Sequence, residues 1–147
     1  MFRLYIILTI LFSISSAHVD DKVLYDFKDR CMICHDTYDK TDSAPPIVAV
    51  NRIYTDFWGN DLPAAKNAIM NFLENPIEKE ALMKPAVKIY GVMPLQLLTS
   101  QQRGDFADVI LELDYGSPEW FEDHYKSHQL NFDDPSVEHR KDQDYHQ

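Results

Sequence analysis

Cys31, Cys34 and His35 stand in the order C-x-x-C-H and include both cysteines of the chain. Two thiols three residues apart can each form a thioether to one vinyl group of a single porphyrin, and the histidine beside the second thiol is then delivered to the iron. The pentapeptide therefore predicts one covalently attached haem c, carried on Cys31 and Cys34, with His35 as the proximal iron ligand. Three other uses of such a pair compete. A structural disulfide would use the same spacing, and a thioredoxin-like redox pair belongs beside a βαβ pattern, which this sequence lacks. A zinc site normally wants four close Cys or His ligands, and no second C-x-x-C or H-x-H cluster follows.

The other axial position of the iron separates electron transfer from ligand binding and catalysis. Met93 is the first candidate for it. It follows Gly91, precedes Pro94 and lies fifty-eight residues after His35, far enough for the chain to wrap to the opposite face of a porphyrin. Met32 sits inside the attachment motif, on the proximal side. Met70 falls on a helix whose apolar face it helps bury, and Met83 in an expected helical turn; methionine in such places is commonly core filler.

These residues need elements to hold them. Asp20 to Arg30 reads as a helix, because Val23, Leu24, Phe27 and Cys31 recur on one face behind acids at the start. The stretch from Asp36 to Asn51 reads as a loop, since Thr41-Asp42-Ser43-Ala44-Pro45-Pro46 cannot be helical at the prolines; it is expected to wrap one edge of the haem. A second helix begins near Asn60 or Asp61, with Pro63 in its first turn and Ala65, Ile69, Phe72 and Leu73 on one side, and Asn75-Pro76 ends it. One further short helix is expected around Glu78 to Met83, and Gly91-Val92-Met93-Pro94 reads as a loop. Thr99 to Gln102 fits a capping box; Phe106, Val109, Ile110 and Leu113 give the 3.6-residue stripe of a last helix, closed by Gly116 and Pro118. No period-2 run is long enough for a sheet, and no internal repeat is present.

The ends differ in character from the middle. Arg3, the apolar run Leu4 to Ile14 and the small residues Ser15-Ser16-Ala17 read as a cleaved secretory signal over residues 1–17. The apolar run is shorter than the roughly twenty residues a membrane span needs. An uncleaved anchor is the competing reading. Without the signal, 130 of the 147 residues remain, one domain's worth of chain, and the net charge of −10 becomes −11 as Arg3 leaves. A single domain over 18–118 is expected. Nucleic acid is an unsuitable partner for so acidic a chain, because phosphate binding needs a basic face; a basic or mixed-charge protein partner fits better. Residues 119–147 hold eight acids, three bases and four of the six histidines, and read as an acidic, solvated C-terminal tail in which Trp120, Phe121 and Tyr125 are the residues able to pack back. His124 and His128 are spaced i, i+4 and could share a metal ion if that segment were helical.

An N-terminal helix running into Cys31-x-x-Cys34-His35, a proline-bearing loop, a Met93-Pro94 loop and a C-terminal helix a few residues later resemble the class I c-type cytochromes, over roughly residues 20–116. The resemblance implies an all-α, cytochrome c-like fold, three to four helices wrapped around one covalently attached haem. It implies His35 and Met93 as axial ligands, Cys31 and Cys34 as thioether carriers, and Pro45 or Pro46 as donor of the backbone carbonyl that orients the His35 ring. Val23 stands where the family commonly has a small residue, Asp36 where a glycine often follows the motif, and the tail after Pro118 has no counterpart. The function so implied is that of a periplasmic electron carrier, not an enzyme, passing single electrons between a membrane oxidoreductase and a terminal oxidase or reductase of a respiratory chain. Haem maturation machinery would load it, and no membrane span would remain after signal cleavage. The alternatives are a haem enzyme or a gas or peroxide sensor with an open distal site, and a cytochrome subunit of a larger oxidoreductase complex.

Overall fold

Asp20 starts the first helix: its side chain accepts a hydrogen bond from the Lys22 amide at 2.7 Å, satisfying one of the otherwise unpaired amides of the first turn. In the computed structural model, which describes residues 19–36, 43–59 and 61–127, α1 (Asp21–Phe27) runs on without a break into a wider, π-helical turn, Lys28–Met32. The described residues form helices and connecting segments with no strand, an all-α chain. The signal sequence read over 1–17 and residues 128–147 lie outside the described residues, as does the proposed metal pairing of His124 and His128.

The stretch read as loop as far as Asn51 is helical from Ile47 onward. Helix α2 (Ile47–Trp58) follows directly on Pro46, whose extended backbone forms the N-terminal cap, and ends at Gly59, where φ is +60°. A proline bars helix behind it but leaves the residues after it free to begin one, since the first amides of a helix have no intrahelical partner anyway. Asp61 caps α3 (Leu62–Glu74) through the Ala64 amide at 3.1 Å, with Pro63 in the first turn.

The short helix expected around Glu78 to Met83 is displaced. Residues 78–80 form a turn, and α4 spans Lys84–Tyr90, with Pro85 in its first turn and Gly91 (φ +79°) at its end. The carbonyls of Glu78 and Lys79 accept from the Lys84 ammonium, while the amides of Glu80 and Ala81 turn back to Ile77 and Glu78. Those groups are thus satisfied without a helical ladder.

Helix α5 (Ser100–Glu112) carries the capping box read in the sequence: Thr99 Oγ1 accepts from the Gln102 amide at 3.2 Å and Gln102 Oε1 from the Thr99 amide at 3.0 Å. It packs against α1, α2 and α3 and so forms the centre of the domain. Phe27 of α1 and Phe106 of α5, each 1 % exposed, meet edge to face at 5.4 Å. Asn51 of α2 donates to the Ile110 carbonyl at 2.7 Å. Arg103 ties α5 to its neighbours, donating to the Leu98 carbonyl at 2.9 Å and to Glu74 of α3 at 2.8 Å.

Gly104 is not required by packing. A Cβ built there would meet only the end of Met70, at 3.9 Å, an ordinary contact. Gly104→Ala is therefore expected to stabilise the fold by roughly 0.5–1 kcal/mol, the difference in helix propensity, read as a higher urea midpoint with an unchanged slope.

The acidic segment after Pro118 begins with a helix. Helix α6 (Glu119–Ser127) buries Phe121 and Tyr125 in the core. The Tyr125 hydroxyl donates to Asp56 at 2.9 Å, and the Arg52 guanidinium lies 5.5 Å from the Tyr125 ring centre while holding Asp56 at 3.1 Å. Three aromatic residues pull a charged segment onto α2 because their apolar area outweighs what its acids gain by solvation.

Candidate functional site

The backbone of the C-x-x-C-H segment is tied down at both ends. His35 N donates to the Cys31 carbonyl at 3.0 Å, continuing the helix of which the π turn is the last part, and the His35 carbonyl accepts from the Ile47 amide at 2.8 Å, joining the segment to the start of α2. A π turn inserts an extra residue into the helix and shifts the side chains that follow around its axis, a feature frequent at functional sites. Here it contains Cys31.

The His35 ring is held as well. Its Nδ1 lies 2.6 Å from the Pro45 carbonyl, which can only accept, so Nδ1 carries the proton and the lone pair of the neutral ring is on Nε2. Of the two prolines read from the resemblance, Pro45 supplies this contact; Pro46 instead caps α2. Burial pushes the His35 pKa down, against the smaller upward pull of the Pro45 carbonyl, so the imidazole is neutral near pH 7 with one nitrogen available as a ligand.

Cys31, Cys34, His35 and Met93 all line one cavity of about 440 Å³, within the span of about 300–1,000 Å³ typical of pockets that enclose a ligand. Its remaining walls are mostly apolar, drawn from α2 (Ile47, Val50), α3 (Ile69, Leu73) and α4 (Ala86, Val87). Neither cysteine is in a disulfide. Burial pushes the Cys31 thiol up to about 12, with the Arg30 guanidinium opposing the rise and Cys34 adding to it, so Cys31 stays protonated at neutral pH while Cys34 is exposed. Among the described residues no group of three His, Cys, Asp or Glu side chains is arranged to hold a metal ion. The donors of the motif are thus spread along the cavity wall instead of gathered on a point.

Met93 lies in the segment after Gly91 and packs against the core from the cavity side. Met70 is away from the cavity, against Gly104, and Met32 does not line it either. Met83 differs from its expected place. It is the non-helical residue before α4 and it lines the same cavity as Met93, so the pocket contains two thioethers.

Residues that the sequence left unassigned also line the pocket: Arg30, Tyr54, Tyr90 and Gln96. Arg30 adjoins the motif and could have been read from that adjacency. Tyr54 could not, because it reaches the cavity only through α2. The pocket can therefore provide two thiols for thioether formation, an oriented imidazole and a thioether for an iron, an apolar enclosure for a macrocycle, and a few polar groups for carboxylates. These residues fit a haem c.

No helix among the described residues is long and apolar enough to cross a membrane. The chain matches no protein-family model, no curated protein and no solved structure.

Proposed function

We propose that this chain is a monohaem c-type cytochrome with a cytochrome c-like arrangement of helices, an electron carrier of the periplasm and not an enzyme. The observation that supports this reading most is that Cys31, Cys34, a histidine oriented through Pro45, and Met93 all line one apolar cavity. Bound there, the haem supplies a one-electron Fe(II)/Fe(III) couple. The protein's part is to set its properties. His35, its Nδ1 proton engaged by the Pro45 carbonyl, would present Nε2 as a strong, fixed ligand. Met93 would hold the iron as a weaker donor than a second histidine, which would favour Fe(II). The apolar walls would exclude water, so that little rearranges when the charge changes. Redox proteins of the same compartment would be its partners, with haem maturation machinery attaching the group to Cys31 and Cys34.

Visible spectra of the haem-loaded protein test this. Native protein is expected to give a sharp low-spin reduced spectrum and, when oxidised, a weak red band from thioether bound to Fe(III). That band disappears in Met93→Ala and persists in Met83→Ala. Loss in Met83→Ala alone would assign the ligand to the other thioether of the pocket. A high-spin native spectrum with rapid carbon monoxide binding would replace the carrier with the enzyme or sensor reading.

A further inference from the structure

Tyr54 and Trp58 lie one helical turn apart on α2, and residues at i and i+4 share a face of a helix. Their rings stack, with centroids 5.7 Å apart and planes 8° from parallel, a spacing usual for offset-stacked aromatic pairs. Phe57, 2 % exposed, meets the Trp58 ring edge-on at 4.4 Å. The stack is therefore held against the core.

The two rings have different surroundings. Tyr54 is buried and lines the cavity that contains Cys31, Cys34, His35 and Met93. Trp58 is only half-buried and does not line that cavity. With Asn71 and Glu80 it lines instead a second cavity of about 30 Å³, which has room for about one water and not for a larger ligand. Tyr54, Phe72 and Leu82 line both cavities and so stand between them. Helix α2 starts at the motif, where the Ile47 amide donates to the His35 carbonyl. Trp58 is its last residue, about 16 Å farther along the axis at 1.5 Å per residue. The stack thus leads from the cavity wall to a part of the surface remote from the motif.

We propose that Tyr54 and Trp58 form an aromatic relay that passes electrons between the group held in the cavity and the surface at the end of α2, away from the motif. The inference rests on the electron-carrier reading, to which it adds a second way in. Electron tunnelling falls off exponentially with distance, and less steeply across contiguous π systems than across gaps or saturated side chains. Neither ring is oxidised or reduced in such a step. Each contributes orbitals to the coupling, and the electron passes from donor to acceptor in one event.

A photochemical label tests it. In the haem-loaded protein both native cysteines are taken up in thioethers, so an Asn71→Cys variant offers one free thiol, beside Trp58, to a ruthenium(II) tris(bipyridine) label. On flash excitation the label gives one electron to Fe(III), leaving Ru(III) and Fe(II), and the electron then returns. Adding Trp58→Leu is expected to slow both transfers at least about tenfold, because a leucine makes no stacked contact with the Tyr54 ring. Trp58→Phe, which keeps a ring, recovers much of the rate. Transfers from a label on Gln101→Cys, exposed at the start of α5, are expected to be unchanged by Trp58→Leu. Equal rates with and without Trp58→Leu at the first label, or an equal fall at both labels, would overturn the relay and leave the carrier reading standing. A chain from a competent host that never carries haem would sink both. The stack itself is read without electron transfer. With Trp120, the other tryptophan, replaced by phenylalanine, Tyr54→Leu should remove much of the near-ultraviolet circular dichroism of Trp58. An unchanged signal would mean that the rings do not stack and would overturn the relay.

Discussion

Replacing Cys31 and Cys34 together by alanine is expected to remove haem from the denatured chain almost completely. Haem staining after denaturing electrophoresis should fall by at least about tenfold, since no thioether remains to survive unfolding. Alanine suits both positions, because it introduces no hydroxyl at the half-buried Cys31. Either single replacement leaves one thioether, and the stain persists at reduced intensity with a shifted haemochrome absorption. The effect is large because it removes a covalent bond and not a contact. A double variant that stains like the native protein would show that the group is not attached through this motif; a native protein from a competent host that never stains would remove the cytochrome reading itself.

Phe106→Ala is expected to destabilise the domain by about 3–5 kcal/mol, the range for emptying a buried aromatic site. Total stability of a domain is about 5–15 kcal/mol, so this single change removes a large part of it. Phe106 is 1 % exposed on the helix that contacts α1, α2 and α3, and its ring meets Phe27 edge to face. The cavity left behind would lie against the Phe27 ring in the core. Urea unfolding followed by circular dichroism reads the loss. A double-mutant cycle with Phe27→Ala should return a coupling of about 0.5–1.5 kcal/mol beyond area burial. A cost below about 1 kcal/mol for Phe106→Ala would mean that α1 and α5 do not pack through these rings.

Helices α1, α3 and α5 were legible because their signals are local. Asp20, Asp61 and Thr99 with Gln102 satisfy orphan amides from within the same turn, whatever the rest of the chain does. Helix α2 was obscured by the prolines before it. The periodicity of Ile47, Val50, Tyr54 and Phe57 and the closing Gly59 were the signals that could have revealed it. Composition hid the helix α6 in a similar way: its acids dominate an average over the segment, and although Trp120, Phe121 and Tyr125 could be read as able to pack back, the Asp56 and Arg52 of α2 that receive Tyr125 could not.

The same division runs through the site. Cys31, Cys34 and His35 could be read from the sequence because thioether chemistry and a neighbouring iron ligand demand fixed spacing along the chain. Their helix, its caps and the all-α character follow from equally short-range rules. Tertiary structure alone decided that Pro45 and not Pro46 meets His35, that Met83 shares the cavity with Met93, and that much of the stretch from Ala81 to Gln96 lines it. Those outcomes depend on where α2 and α4 pack against α3 and α5. Packing is a contest among surfaces brought together from distant parts of the chain, and no local pattern carries its result.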